Sequence, residues 1–141
     1  MKLIHCADLH LDSDMTSNLT KEKAKERRTE LLVTFQRMIT YAKENDVHHI
    51  LISGDLYDKK NISSTARNVF LTAVTDNQDI IFYYLKGNHD AESLFIGMNK
   101  IPDNLKLFAT EWTEYKITSE KDNNNIVISG IELTADNSDI I

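Results

Sequence analysis

Three short clusters of residues that can bind metal ions follow apolar segments of the sequence. The first is Asp8-x-His10, the second is a Gly-Asp-x-x-Asp motif at 54–58, and the third is a Gly-Asn-His-Asp motif at 87–90. Their carboxylate, amide and imidazole groups, without a thiolate, suit Mn²⁺, Mg²⁺, Fe or Zn²⁺ rather than a structural cysteine zinc site. Metal pairs about 3.5–4 Å apart are a recurrent solution for phosphoester hydrolysis. The clusters therefore predict a metal site whose chemistry suits phosphoester hydrolysis.

Five of these side chains have a direct part in that chemistry. Asp8 and His10 are two residues apart, so a bent loop would turn both toward one cation. Asp55 has two carboxylate oxygens and is able to bridge two cations. Asn88 offers a neutral oxygen ligand. We expect His89 to contact the phosphate as a proton donor or charge stabiliser.

Two further acids have supporting roles in this prediction. Asp90 follows His89 and is placed to orient its imidazole as part of the catalytic pair. Asp58 lies three residues after Asp55, and we expect it to hydrogen-bond a ligand or a backbone amide rather than to bind metal.

Alternating strands and helices position the clusters. Apolar periodicity predicts strands at 2–6, 48–53 and 80–85 and helices at 20–45 and 65–75. This order predicts an α/β fold with a parallel sheet and right-handed crossovers. The carboxyl ends of parallel strands share one edge, so the three clusters should meet there.

The pattern after the third cluster is weaker. We expect a short helix within 92–98, a short strand at 105–108 and a hairpin with strands at 114–118 and 126–129. The sequence does not decide the structure of residues 130–141.

Length and composition fit one globular domain. The chain has 141 residues, 41% of them hydrophobic and 27% charged, and a single cysteine that excludes an internal disulfide. We expect a cytoplasmic protein. A net charge of −6 argues against holding nucleic acid by a basic surface alone, although metal-loaded acids would make the site locally positive.

The order and spacing of the three clusters resemble the calcineurin-like metallophosphoesterases. Within that superfamily, segments 5–13 and 54–58 look most like the SbcD-type DNA repair exonucleases. The serine/threonine protein phosphatases differ, because their second motif usually ends in Arg-Gly and their third in glutamate. Lys59-Lys60 and Asp90 stand at those places here.

The resemblance implies a metallophosphoesterase-like α/β/β/α sandwich, a two-metal centre that usually holds manganese, and phosphodiester cleavage in DNA. It assigns Asp8, His10, Asp55 and Asn88 as metal ligands and His89 as the catalytic histidine. It also implies a homodimer and an ATPase partner of the SbcC type.

The sequence departs from the family pattern in its later histidines. The family adds one histidine after a following strand and then a Gly-His-x-His motif, whereas all five histidines here lie at or before position 89. We therefore expect residues 1–141 to be a metallophosphoesterase domain that is incomplete at its C-terminus. The second metal should bind weakly, and this chain alone should be weakly active or inactive.

Two other functions stay open at this point. The protein could be a phosphoesterase for a small nucleotide or a phosphoprotein, or a non-catalytic shortened subunit that keeps the fold. Taken singly, each candidate residue could also be an ordinary turn or capping residue; only their joint occurrence favours a site.

Overall fold

The fold is organised on a parallel sheet. The computed structural model describes residues 1–15, 18–58, 62–87, 90, 92–95, 98–118, 125–134 and 137–138. Within these, strands β1 (Ile4–Cys6), β2 (His49–Ser53), β3 (Ile81–Leu85) and β4 (Leu105–Leu107) pair in the order β1-β2-β3-β4, all parallel. The predicted order of strands is therefore confirmed.

Helices α1 (Lys21–Glu44) and α2 (Ser64–Thr75) connect the first three strands. Each begins after a hydroxyl side chain that accepts a hydrogen bond from a backbone amide in the first turn. Thr20 accepts from Lys23 at 3.4 Å, and Ser63 accepts from Ala66 at 3.2 Å. Both helices agree with the predicted ranges to within a residue at each end.

Both helices pack on one face of the sheet. A strand order that follows the chain order, with right-handed crossovers, sends every crossover to the same side. The core on that side consists of residues from α1, α2, β2 and β3. It includes Phe35, Ile39, Ala42, Ala66, Phe70, Ile50, Ile52, Phe82 and Tyr84.

An antiparallel hairpin covers part of the opposite face. Strands β5 (Thr113–Thr118) and β6 (Asn125–Gly130) pair with each other, in agreement with the predicted hairpin. Tyr83, Phe108 and Ile117 form a second apolar cluster between the hairpin and the sheet. Helices, parallel sheet and hairpin are thus three successive layers of an α/β fold, which is consistent with a metallophosphoesterase-like fold.

Three local expectations need correction. Within the helix expected at 92–98, the described residues Glu92–Phe95 form a 3₁₀ turn. The first strand begins at Ile4 rather than at residue 2. An unbroken apolar run such as 50–52 is typical of a strand buried on both faces. In β2, Ile50 and Ile52 are fully buried, whereas Leu51, which packs on the hairpin side, is half-buried.

In the described part of the chain, neither helix combines the length and the apolar character that crossing a bilayer would require.

Candidate metal centre

The carboxyl ends of β1 and β2 bring three predicted ligands together. Asp8, His10 and Asp55 each have one ligand atom within 4.8 Å of those of the other two. Asp8 is exposed, and the other two are half-buried. The structure thus brings the first two clusters together, as predicted.

Backbone hydrogen bonds hold the first two loops side by side beyond the ends of the strands. The amide of Asp8 donates to Gly54 at 3.2 Å, that of His10 to Asp55 at 3.0 Å, and that of Leu11 to Leu56 at 2.9 Å. These bonds continue the pairing of β1 with β2, so the ligands are fixed by main-chain contacts rather than by long side chains.

The same three ligands have a backbone conformation that is rare for residues with a Cβ atom. Their φ angles are +53° at Asp8, +44° at His10 and +47° at Asp55. Each left-handed residue of this kind costs on the order of 1–3 kcal/mol, and such residues are concentrated at functional sites. Three of them in one ligand group indicate that the fold holds the group in place at the expense of stability.

Two glycines permit the second and third loops to approach each other. Gly54 has a φ of +83°, which a side chain would strain. A Cβ atom on Gly87 would lie 2.2 Å from the Oδ1 atom of Asp55 and 2.4 Å from its amide nitrogen. Gly87 must therefore lack a side chain for Asp55 to occupy its present position.

Asp58 contacts His10. The Nδ1 atom of His10 lies 2.7 Å from the Oδ1 atom of Asp58. A carboxylate on one ring nitrogen orients the imidazole and raises its basicity as a ligand through the other nitrogen. This contact agrees with the prediction that Asp58 lies beside a metal ligand rather than binding metal itself.

Asn88 and His89 lie outside the described residues, so their predicted roles stay predictions. Asp90 is described and is buried, with 6% of its surface exposed. Its Oδ1 atom accepts a hydrogen bond from the amide of Tyr57 at 2.7 Å, and its Oδ2 atom accepts one from Gly87 at 2.9 Å. The catalytic pairing of Asp90 with His89 is not tested by these contacts.

A tyrosine also adjoins Asp90. Burial, followed by the nearby Asp90 carboxylate, raises the pKa of Tyr84 far above its ordinary value. Tyr84 therefore stays neutral, and it adds no negative charge beside the acids of the site.

Two contributing side chains had no role in the sequence prediction. Asp12 is buried, and its Oδ2 atom accepts the amide of Ser63 at 2.7 Å, which ties the first loop to the start of α2. His5 lies with its Nε2 atom 2.9 Å from the Oγ atom of Ser53, linking β1 to β2 just before the ligands. The one signal for Asp12 was its place directly after Leu11 in the first motif.

An open cleft of about 320 Å³ adjoins the ligand group. Asp8 and Asp55 lie on one side of it, and Leu85, Ile131 and Leu133 give it an apolar wall. A larger cavity of about 580 Å³ lies between α1 and α2, and none of the predicted site residues lines it. Of these two cavities, the one at the sheet edge is therefore the one that adjoins the predicted ligands.

The donor set fits a divalent cation. Two carboxylates and one imidazole provide hard oxygen and borderline nitrogen atoms within reach of a single ion, the combination that Mn²⁺, Mg²⁺, Fe and Zn²⁺ accept. Left without a cation, the two nearby carboxylates repel each other. The arrangement is thus what a cation-binding group requires.

Comparison with known proteins agrees with this geometry. The sequence model for the calcineurin-like phosphoesterase family matches residues 1–139. The chain is also 31% identical over 121 residues to the uncharacterized metallophosphoesterase YhaO of Bacillus subtilis (strain 168). That match covers 82% of this chain and 29% of the relative, so the chain spans less than a third of the relative's length.

Proposed function

Since the chain belongs to the calcineurin-like phosphoesterase family, we propose that the protein hydrolyses phosphoesters with divalent metal ions bound at this edge of the sheet. One observation carries the proposal: Asp8, His10 and Asp55 converge from two loops to within 4.8 Å, and each is held in a left-handed backbone conformation.

Each of these residues has its own role in the proposed reaction. Asp8, His10 and Asp55 would hold one cation, and Asp55 would share a second cation with Asn88. Bound cations supply Lewis-acid stabilisation for the charge on the reacting phosphoryl group. His89 would donate a proton or a hydrogen bond to the phosphate. Asp58 keeps the His10 ring oriented.

Within this class, we propose a phosphodiester in DNA as the substrate and manganese as the metal. The support is the similarity of segments 5–13 and 54–58 to SbcD-type exonucleases. Because the chain has a net charge of −6, contact with the DNA backbone would depend on the loaded cations. A homodimer, an SbcC-type ATPase partner and a cytoplasmic setting belong to the same proposal.

A small phosphoester is the second candidate substrate. The cleft of about 320 Å³ beside Asp8 and Asp55 is within the size range of small-molecule sites, and its apolar wall would suit a nucleoside or another organic leaving group. A non-catalytic subunit is the remaining alternative, and it predicts metal binding without turnover.

The test compares three substrates on the purified protein with MnCl₂. Bis-p-nitrophenyl phosphate reports diester cleavage, p-nitrophenyl phosphate reports monoester cleavage, and a linear DNA duplex reports nuclease activity. Because residues 1–141 alone should be weakly active at most, we expect slow diester and DNA cleavage that EDTA abolishes and that Asp55→Asn and His89→Ala remove, while Asp103→Asn on an exposed turn has no effect. Cleavage confined to the monoester would favour the small substrate, and equal cleavage by Asp55→Asn would refute the metal mechanism.

A further inference from the structure

One buried carboxylate joins the loop that carries Asp55 to the loop that follows β3. The Oδ1 atom of Asp90 accepts the amide of Tyr57, and its Oδ2 atom accepts the amide of Gly87. The two distances, 2.7 and 2.9 Å, are those of charge-assisted hydrogen bonds. Each carboxylate oxygen of Asp90 thus accepts a hydrogen bond from a different main-chain amide.

In the described residues, fewer main-chain hydrogen bonds join the second and third loops than join the first and second. Three main-chain hydrogen bonds join the loop of Asp8 to the loop of Asp55. Between the second and third loops, the described main-chain bonding ends where the amide of Gly54 donates to Leu85 at 2.8 Å. Past that point in the described residues, the Asp90 side chain takes over the connection.

Both residues that Asp90 connects, Tyr57 and Gly87, lie next to the predicted ligand Asp55. Tyr57 is two residues after Asp55, and its ring is fully buried in the core, so its amide is a fixed point. Gly87 lies so close to Asp55 that a Cβ atom added to the glycine would be 2.2 Å from the Oδ1 atom of Asp55. A shift of Gly87 relative to Tyr57 would therefore change the room in which the Asp55 carboxylate lies.

We infer that Asp90 is a positioning residue, which sets the place of the Asp55 carboxylate by holding the Tyr57 and Gly87 amides at a fixed separation. This role acts through the backbone and differs from the orientation of an imidazole. It rests on the proposed function, because the position of Asp55 matters to activity only if Asp55 binds the reacting metal.

Two substitutions of equally buried residues test the inference. Asp90→Asn keeps the shape but presents an NH₂ group to one of the two amides, so one hydrogen bond is lost. The control is Asn104→Ala. Asn104 is 5% exposed, and its Nδ2 atom donates to Val74, Asn77 and Ile80, away from the ligands. Affinity for Mn²⁺ is measured by calorimetry and kcat by diester hydrolysis, at a temperature where circular dichroism shows both variants folded.

We expect Asp90→Asn to weaken Mn²⁺ binding about 10–100-fold, with a matching loss of kcat. Asn104→Ala should lower the melting temperature and leave the metal affinity of the folded protein unchanged. If Asp90→Asn keeps wild-type affinity and kcat while Asp55→Asn loses both, the positioning role is overturned and the proposed function stands. A wild-type protein that neither binds Mn²⁺ nor hydrolyses the diester overturns the proposed function, and the positioning role with it.

A measurement on the wild-type protein covers the case in which Asp90→Asn does not fold. Hydrogen exchange followed by NMR should show slow exchange at the amides of Tyr57 and Gly87, because both are bonded to a buried acceptor. Free exchange of these two amides in the folded protein would overturn the inference without any substitution.

Discussion

The Nδ1 atom of His10 lies 2.7 Å from the Oδ1 atom of Asp58, so an acid of the second motif holds a histidine of the first. Both side chains are about one-third exposed. With Nδ1 engaged in this way, a cation would bind His10 through Nε2. The pair therefore has the form of a carboxylate–histidine–metal arrangement.

Replacing Asp58 should weaken metal binding without unfolding the protein. Asp58→Asn removes the charge that polarises the His10 ring, and we expect about tenfold weaker Mn²⁺ binding; Asp58→Ala should approach 100-fold. Calorimetric titration measures both. Asp103→Asn is the matched control, since it removes an exposed acid that lies 2.8 Å from Lys100 and far from the ligands in the chain. Equal affinities for Asp58→Ala and wild type would show that the contact has no bearing on metal binding.

Metal binding should stabilise the fold through Asp55. At a free Mn²⁺ concentration 100 times the dissociation constant, one site adds about 2.7 kcal/mol to the free energy of unfolding. Asp55→Asn removes a ligand and also relieves the repulsion between two nearby carboxylates. We therefore expect this variant to be at least as stable as wild type in EDTA and to gain no stability from Mn²⁺, as urea titrations would reveal. A full metal-dependent gain in Asp55→Asn would exclude it as a ligand.

Alanine at two glycines should separate function from stability. The new Cβ atom of Gly87→Ala would lie 2.2 Å from the Oδ1 atom of Asp55, so the carboxylate must move and Mn²⁺ affinity should fall at least about tenfold. The Cβ atom of Gly130→Ala would lie 2.7 Å from the ring of Phe108 in the hairpin cluster. We expect that variant to lose about 1–3 kcal/mol of stability while it keeps its metal affinity. The opposite pattern would contradict the placement of Gly87.

Stability should fall in mild acid because of His49. Burial, and secondarily the charge of His48, lowers the pKa of His49 below its ordinary value of 6.5. As the pH drops through 6.5, the unfolded chain takes up a proton that the folded protein resists, so the free energy of unfolding decreases. His49→Gln should reduce the loss between pH 8 and pH 5.5 in urea titrations. His48→Gln should reduce it less, because burial is the larger cause. An unchanged loss in His49→Gln would contradict this prediction.

The order of the elements could be predicted because it depends on local pattern. Phe35, Ile39 and Ala42 recur at helical spacing in α1, and Ile50 to Ile52 form an apolar run that ends at a glycine. These features act over a few residues and need no knowledge of the tertiary structure. The rule that parallel strands end at one edge then placed Asp8, His10 and Asp55 together.

The details of the site depend on contacts between residues that are distant in the chain. Asp12 meets the amide of Ser63 across 51 residues, and Asp90 meets that of Tyr57 across 33. Asp8, which has a left-handed conformation, donates its amide to the carbonyl of Gly54 across 46 residues. No local preference of aspartate or histidine predicts these geometries, because the strand register and the loop shapes set them.

Because the strands of the parallel sheet follow one another in chain order, the residues of the metal-binding edge are synthesised before the later strands. Asp8, His10 and Asp55 come from the first two strand ends, and Asp90 follows the third, so all four are synthesised before β4 and the hairpin. A nascent chain that has emerged as far as residue 90 already contains the described ligand group and Asp90, whose carboxylate positions Asp55. The hairpin then covers a sheet whose ligand-bearing segments have all been synthesised.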